Sequence, residues 1–451
     1  MSQSSERAKA AGSSTRVGPI YKRLPHGPHR LERGEVVRHQ RARIYGAMVE
    51  AIARSGYEHT SVKQVIGLAG VSRRSFYEQF TNKEQCFLSA FDVLAGRDIQ
   101  RITKACTASS SSLDKRLRAA FRALVQSAKE NPKASTLVLV ESQTAGMGGA
   151  LRLRQVLASC EQMLAHGFSE SSEAVALPAP VVRSIVGGLH GAMSTVLCEE
   201  EIEDRPGLAE DMLRWTLLFQ APAAADLAER MAPRLAQHMR EISLASAHRD
   251  DPEKSAHGDT RERLLHNALR LAGLHDYRDL TAPQIADEAR VTIDDFLELF
   301  PDRDACYSAA LDMVSDEILT LVANPELIAE DWAHAVRRVV SQLMSYLSEH
   351  PLYTRTIVQE AFFAGSEAVS QIHELTMAIA TLLTEGAPNK PRSGLAVEGI
   401  AGAFMHTVRC QVAGGRIQLL PALSDYFSYV VLAPYIGAEL ATEVVTGDPG
   451  R

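Results

Sequence analysis

The segment Tyr57–Phe87, YEHTSVKQVIGLAGVSRRSFYEQFTNKEQCF, returns at Tyr277–Tyr307 as YRDLTAPQIADEARVTIDDFLELFPDRDACY, without a gap and at one constant offset. The shared positions are Tyr57/Tyr277, Ser61/Thr281, Val65/Ile285, Ala69/Ala289, Val71/Val291, Phe76/Phe296, Phe80/Phe300 and Cys86/Cys306. Most are apolar or capping residue types, so a common packing is expected. In the first copy Ser61 can cap a helix that runs to Ala69. Gly70 supplies a tight turn that a side chain would resist. Ser72 can cap a second short helix over about 73–80, whose inner face is Phe76 and Phe80. At 100° per residue, Arg74 and Glu78 then point away from the core, flanked by Ser75 and Tyr77. Two helices joined by a tight turn, the second short and presenting Arg, Ser and Tyr, predict a helix-turn-helix. An arginine can fork onto guanine in the major groove, while tyrosine hydroxyls and lysines meet phosphates. Lys83, opening the next helix, is placed for such a phosphate contact.

The second copy keeps the packing residues and changes the outward ones. Gly70 becomes Arg290, Arg73 and Arg74 become Ile293 and Asp294, Ser75 becomes Asp295, and Tyr77 becomes Leu297. Residues 39–97 hold eight basic and five acidic side chains, whereas residues 259–317 hold six and fourteen. The helix at 292–300 carries three acids and no base, and DNA, with one negative charge per about 1.7 Å of axis, repels it. This copy is expected to keep the fold without the DNA chemistry.

Outward from these segments, helical periodicity begins near Val36, with Ile44, Ala47, Met48, Ala51 and Ile52 forming one apolar stripe. Further helices are predicted at about 83–106, 113–130, 133–143, 149–167, 180–199 and 207–220. No stretch alternates like a strand, so an all-α fold is expected. The match between halves continues more weakly: Glu130-Asn131-Pro132 corresponds to Glu349-His350-Pro351, Glu141 to Glu360, and Gly188/Gly191 to Gly399/Gly402. The 451 residues therefore divide into a disordered basic arm (1–35), a helix-turn-helix domain (36–82) and a helical regulatory domain (83–222). After a connector (223–257), a degenerate helix-turn-helix (258–302) and a second regulatory, dimerisation-like domain (303–451) follow. Residues 1–45 carry ten Lys/Arg against three Asp/Glu, although the whole chain has a net charge of −7. A basic front on an acidic body suggests a polyanion partner for the front alone.

From Thr60-Ser61-Val62 through Ala69-Gly70-Val71-Ser72-Arg73, Phe76-Tyr77, Phe80 and Asn82-Lys83-Glu84, the first copy resembles the DNA-binding signature of the TetR/AcrR transcriptional regulators. That resemblance implies a three-helix DNA-binding domain and a six-helix regulatory domain. It also implies a small apolar or amphipathic inducer, and pairing through the last two helices of each unit. Carried over position by position, it puts DNA contacts on Lys63, Arg73, Arg74, Ser75, Tyr77, Gln79 and Lys83. No inducer-binding residue can be transferred, because the regulatory region matches only in helix count and length. Two such units in one chain imply an intramolecular pseudo-dimer with one competent reading head. Helices at about 180–199 and 207–220 would pack on those at about 392–414 and 421–441, and two chains would share a palindromic operator.

Other residue types give blander readings. Cys160, His166, His190 and Cys198 sit on apolar helices without ligand spacing, so core packing is expected and no metal. Six scattered cysteines without a CxxC pair fit a reducing cytoplasm. No leader-type apolar run opens the chain. The apolar windows 394–414 and 419–440 are interrupted by charged or proline residues and read as buried helices, not membrane spans. Gly187, Gly188 and Gly191 fit a close helix approach, since Gly399 and Gly402 recur at matching places. Gly146-Met147-Gly148-Gly149 has no strand before it and is read as a loop between helices. There is no nucleophile elbow, P-loop or HExxH, so no enzyme and no cofactor is expected. The resulting expectation is a ligand-modulated, sequence-specific DNA-binding regulator, most simply a repressor. The alternative is a protein-interaction adaptor that uses the acidic second copy.

Overall fold

In the computed structural model the described residues are 33–109, 112–172, 174–199, 202, 205–244, 259–323 and 331–447. Almost all of the basic arm and the end of the connector (245–258) lie outside them. The described residues form helices and no strand: α1 (Arg33–Ser55), α2 (Val62–Ala69), α3 (Arg73–Tyr77), α4 (Lys83–Ala108), α5 (Leu113–Glu130), α6 (Pro132–Thr136), α7 (Gly146–Glu170), α8 (Ala179–Cys198), α9 (Leu208–Leu217) and α10 (Ala223–Leu244). They continue as α11 (Thr260–Leu274), α12 (Ala282–Glu288), α13 (Ile293–Leu299), α14 (Arg303–Val322), α15 (Trp332–Glu349), α16 (Pro351–Val358), α17 (Ser366–Thr384), α18 (Ala396–Ala413), α19 (Ser424–Ile436) and α20 (Ala438–Thr446). The chain forms two compact units, the first ending at Ala90 and the second beginning at Phe91.

In the first unit the stripe Ile44, Met48, Ala51 and Ile52 is buried together with Val65, Ala69, Phe76, Phe80 and Phe87. Phe76 and Phe80 touch at 5.5 Å between ring centroids. A helix as short as α3 has no stability of its own in water, since nucleation alone outweighs its few hydrogen bonds. It persists because these two rings anchor its inner face, and losing one would cost about 3–5 kcal/mol. α3 ends at Tyr77, three residues before the predicted stop. Phe80 leaves the helix to reach the core, and Glu78 forms its C-cap.

The second unit holds α5 to α20. Its most extensive helix contact is the crossing of α8 and α18, where backbone meets backbone. A Cβ on Gly191 would sit 2.6 Å from the Gly402 Cα, and one on Gly402 would sit 2.5 Å from the Gly187 oxygen. Trp215 of α9 lies over Gly188 and Gly399 and donates its indole N–H to the Ile185 carbonyl at 3.2 Å. Tyr429 of α19 donates to the Phe219 carbonyl at 3.0 Å. Arg205 pairs with Glu398 at 2.7 Å. Two helices among the described residues, Ala179–Cys198 and Ile417–Ile436 with its short 3₁₀ entry, are long and apolar enough to cross a membrane, but 67% of the most apolar stretch of each is buried inside this unit.

Several predicted details change. Gly146–Gly149 is not a loop: it opens α7, because a Cβ on Gly149 would lie 2.3 Å from the Ser142 carbonyl oxygen, and only glycine allows that approach. Gly437 interrupts the helix predicted at 421–441, separating α19 from α20. His166 and Cys198 are exposed rather than core, since each falls on the outer side of its helix. His166 instead pairs with Glu170 at 3.2 Å. His190 is inside as expected: its ring bonds the Leu139 carbonyl at 3.0 Å, and burial pushes its pKa down to about 3. Cys160 is half-buried, and burial raises its thiol to about 11.

Candidate nucleic-acid interface

Ser61 accepts the Gln64 backbone N–H at 3.3 Å, and the Gln64 side chain accepts the Ser61 N–H at 2.6 Å, a complete capping box. Gly70 follows at φ 60°, the left-handed conformation that the turn requires. Ser72 then accepts the Ser75 N–H at 3.0 Å and starts α3. These devices hold α3 with Arg73, Arg74 and Tyr77 exposed on one surface and Lys63 exposed on the first turn of α2. Tyr77 keeps 45% of its surface in solvent. The Arg73 guanidinium carbon lies 5.6 Å from the Tyr77 ring centroid. Arg74 pairs with Glu78 at 2.9 Å, but both side chains are well exposed. Such a pair contributes about 0–1 kcal/mol, so a phosphate or base edge can displace it.

Three other predicted contacts are engaged within the unit. The Ser75 hydroxyl bonds that of Ser72 at 2.8 Å. Gln79 donates to the Gln40 side chain at 3.3 Å and to the Ser75 carbonyl at 3.2 Å. Lys83 is the most fully engaged of the three. Its ammonium donates to the Tyr57 carbonyl at 2.9 Å and to that of Glu58 at 3.3 Å, and it lies 4.1 Å from the Tyr57 ring centroid. Burial lowers its pKa, with Glu58 acting against that.

Comparison with the matching segment separates cations that hold the fold from cations exposed on α2 and α3. Arg303 repeats Lys83, bonding the Tyr277 carbonyl at 3.3 Å with its guanidinium carbon 4.4 Å from that ring centroid. Arg43 donates to the Ala69 and Gly70 carbonyls, and Arg263 donates to the Ala289 carbonyl at 3.3 Å. Arg41 stands 5.4 Å from the Phe80 ring, and Arg261 5.7 Å from that of Phe300. By contrast Lys63, Arg73, Arg74 and Tyr77 face Pro283, Ile293, Asp294 and Leu297 at the matching positions. The grip of Arg43 on the turn went unforeseen because it joins α1 to the far end of α2. The signal was there, since Arg263 stands at the matching position of the segment whose outward residues are acidic. At Arg290 the left-handed turn persists at φ 55° without glycine. Asp295 replaces Ser75 and completes a capping box with Thr292.

A model of the family "Bacterial regulatory proteins, tetR family" matches residues 44–90. No curated protein matches the chain. A solved structure, "Structural analysis of fatty acid degradation regulator FadR from Bacillus halodurans", is similar at 20% identity and a TM-score of 0.35, covering 39% of this chain and 96% of that one. Residues 44–90, with the capped helix pair and the α3 surface at their centre, are a TetR-type DNA-binding domain.

Proposed function

We propose that the chain is a sequence-specific transcriptional regulator of the TetR type, acting as a repressor whose hold on its operator is modulated by a small molecule. One observation carries this reading. The donors exposed on the α3 surface, Arg73, Arg74 and Tyr77, together with Lys63, are those for which the second copy has no equivalent, while the fold-holding cations Arg41, Arg43 and Lys83 are repeated. Arg73 and Arg74 would read base edges, Tyr77 and Lys63 would meet phosphates, and Gln79 and Lys83 would position the helix. The arm's basic residues would add phosphate contacts, strengthening binding at low salt.

The recurrence of caps, turn and cation contacts at a constant offset supports a tandem fusion of two such units. The packing of α8 and α9 on α18 and α19 supports an intramolecular pseudo-dimer. One reading head covers one short half-site, so two chains would occupy a palindrome with half-sites about 34 Å apart.

DNA fragments enriched on the purified protein give the operator for a mobility-shift test. Changing Arg74 and Tyr77 together to Ala should abolish the specific shift at unchanged helicity and melting temperature. Wild-type affinity in that variant would refute the reading. The adaptor alternative draws on Ile293, Leu297 and Leu299, which are exposed between acids on α13. It requires that no fragment be enriched.

A further inference from the structure

In the second unit α7, the segment after α16 and α18 enclose a recess between the two halves of the chain. Its walls are apolar, chiefly Met147, Leu151, Leu157, Phe362 and Phe363. Its cavity volume is about 70 Å³, and the empty space counted out into the solvent at its mouth is about 650 Å³. Its charged or basic lining groups are Arg154, His406 and Arg409, and none of its lining residues, all among those described, is Asp or Glu.

Arg409 sets the chemistry. Its Nε donates to the Val358 carbonyl at 3.2 Å, one terminal nitrogen donates to the Gln143 side chain, and the guanidinium lies 4.3 Å from the Phe362 ring centroid. Its other terminal nitrogen, Nη2, is buried with no hydrogen-bond partner among the described residues. Burial lowers its pKa to about 10, which leaves it charged at neutral pH. The carboxylate of part-buried Glu161 is already shared by His406 at 2.9 Å and Arg183 at 3.5 Å. Burying a charge without a counter-ion is costly, and a buried donor without an acceptor adds to that. A cation is not what this recess lacks. Glu161, His406 and Cys410 have ligand atoms within 4.8 Å of one another, but Arg183 and Arg409 beside them oppose a metal ion. A guanidinium nitrogen buried without an acceptor attracts an anion, and the apolar walls around it suit a slim apolar body.

We propose that this recess binds a slender organic carboxylate. Its carboxylate would pair with the part-buried Arg409 guanidinium that lines the recess, half-exposed Arg154 would supply a second cation, and the chain would lie along Met147, Leu151 and Phe362. The inference rests on the ligand-modulated reading above and names the ligand's chemistry and its place between the two halves.

Isothermal titration of the full chain with butanoate, octanoate and decanoate, against 1-octanol and octylamine, tests it without DNA. At least one carboxylate should bind, with octanol and octylamine at least about tenfold weaker, the difference that one charge-assisted hydrogen bond makes. Arg409→Met should lose that preference. Arg154→Met, at a half-exposed position that leaves the fold intact, should weaken carboxylate binding several-fold. Absence of binding by all three carboxylates overturns the proposal. So does octanol binding as tightly as octanoate, or wild-type affinity in Arg154→Met together with Arg409→Met. Carboxylate binding without any change in operator affinity supports the site and refutes ligand control. Operator release by another ligand, with no carboxylate bound, refutes the site alone.

Discussion

Gly402→Ala tests the α8–α18 crossing at its tightest point. The new methyl would lie 2.5 Å from the Gly187 oxygen, 2.8 Å from the Gly191 Cα and 3.1 Å from the Gly191 nitrogen. All three neighbours are backbone, so no side chain can rotate away, and the helices must separate by about 1 Å to reach ordinary contact distance. Overpacking of this kind costs about 1–3 kcal/mol, and a site walled by backbone belongs at the upper end. Alanine returns about 1 kcal/mol of helix propensity over glycine. The net loss is about 2 kcal/mol, a fall of roughly 2–3 °C in melting temperature for a unit spanning Phe91–Arg451, at about 2.1 cal/mol/K of unfolding entropy per residue. Gly96→Ala is the control, because a Cβ there meets nothing within 4 Å. It should gain about 0.5–1 kcal/mol from the same propensity term. Denaturant unfolding followed by circular dichroism gives both values. Trp215, one of two tryptophans in the chain, reports the crossing by fluorescence. Equal shifts of the same sign in the two variants would refute the close-packed crossing.

Three further outcomes are expected. Asp294→Ala with Glu298→Ala should leave operator affinity unchanged if, as proposed, α13 takes no part in reading DNA; a lost shift in the folded double variant would show otherwise. Asp295 is left out because its carboxylate caps α13. Arg290→Gly should raise stability by about 0.5–1 kcal/mol, because the left-handed strain of about 1–2 kcal/mol is relieved while some chain entropy is lost; unchanged or lower stability in denaturant titration counts against it. His406 should titrate above its usual 6.5. Burial is the largest single influence and lowers its pKa, but Cys410 and Glu161 together outweigh it. The stability this protonation adds is therefore full below about pH 6.5 and is lost as pH rises through the folded-state value. Glu161→Gln should move the imidazole titration, read by NMR, downward, and an unmoved titration would contradict the assigned cause.

The helix-turn-helix was legible because its determinants are local. Ser61, Gly70, Ser72, Phe76 and Phe80 act within a few residues of one another, and the resulting bounds of α2 agree with the periodicity. The glycine series at 187, 188, 191, 399 and 402 was legible for another reason, since small residues at matching places in two halves point to a close approach. What escaped were interactions between distant side chains. The bond of Lys83 to the Tyr57 carbonyl could not be read from spacing, because it depends on a turn on the far side of α2 and α3. The recess around Arg409 draws on α7, the segment after α16, and α18, and no spacing in the sequence announces it. Gly146–Gly149 misled in the opposite direction: glycine was read as a loop signal where the Ser142 carbonyl demanded the absence of a side chain.

The same glycines also determine how α8 and α18 can move. Helices that mesh through large side chains have discrete registers, and sliding between them means lifting each ridge over the next. At Gly187, Gly191 and Gly402 there are no ridges, so tilting about the point of nearest approach meets little resistance. Away from that point the lever arms differ. Trp215 wedges one flank over Gly188 and Gly399, while His406, whose Cβ sits where a side chain on Gly187 would be, leads on the other to the Arg409 recess. Tilting about this crossing would meet Trp215 on one flank, while the other flank borders the Arg409 recess.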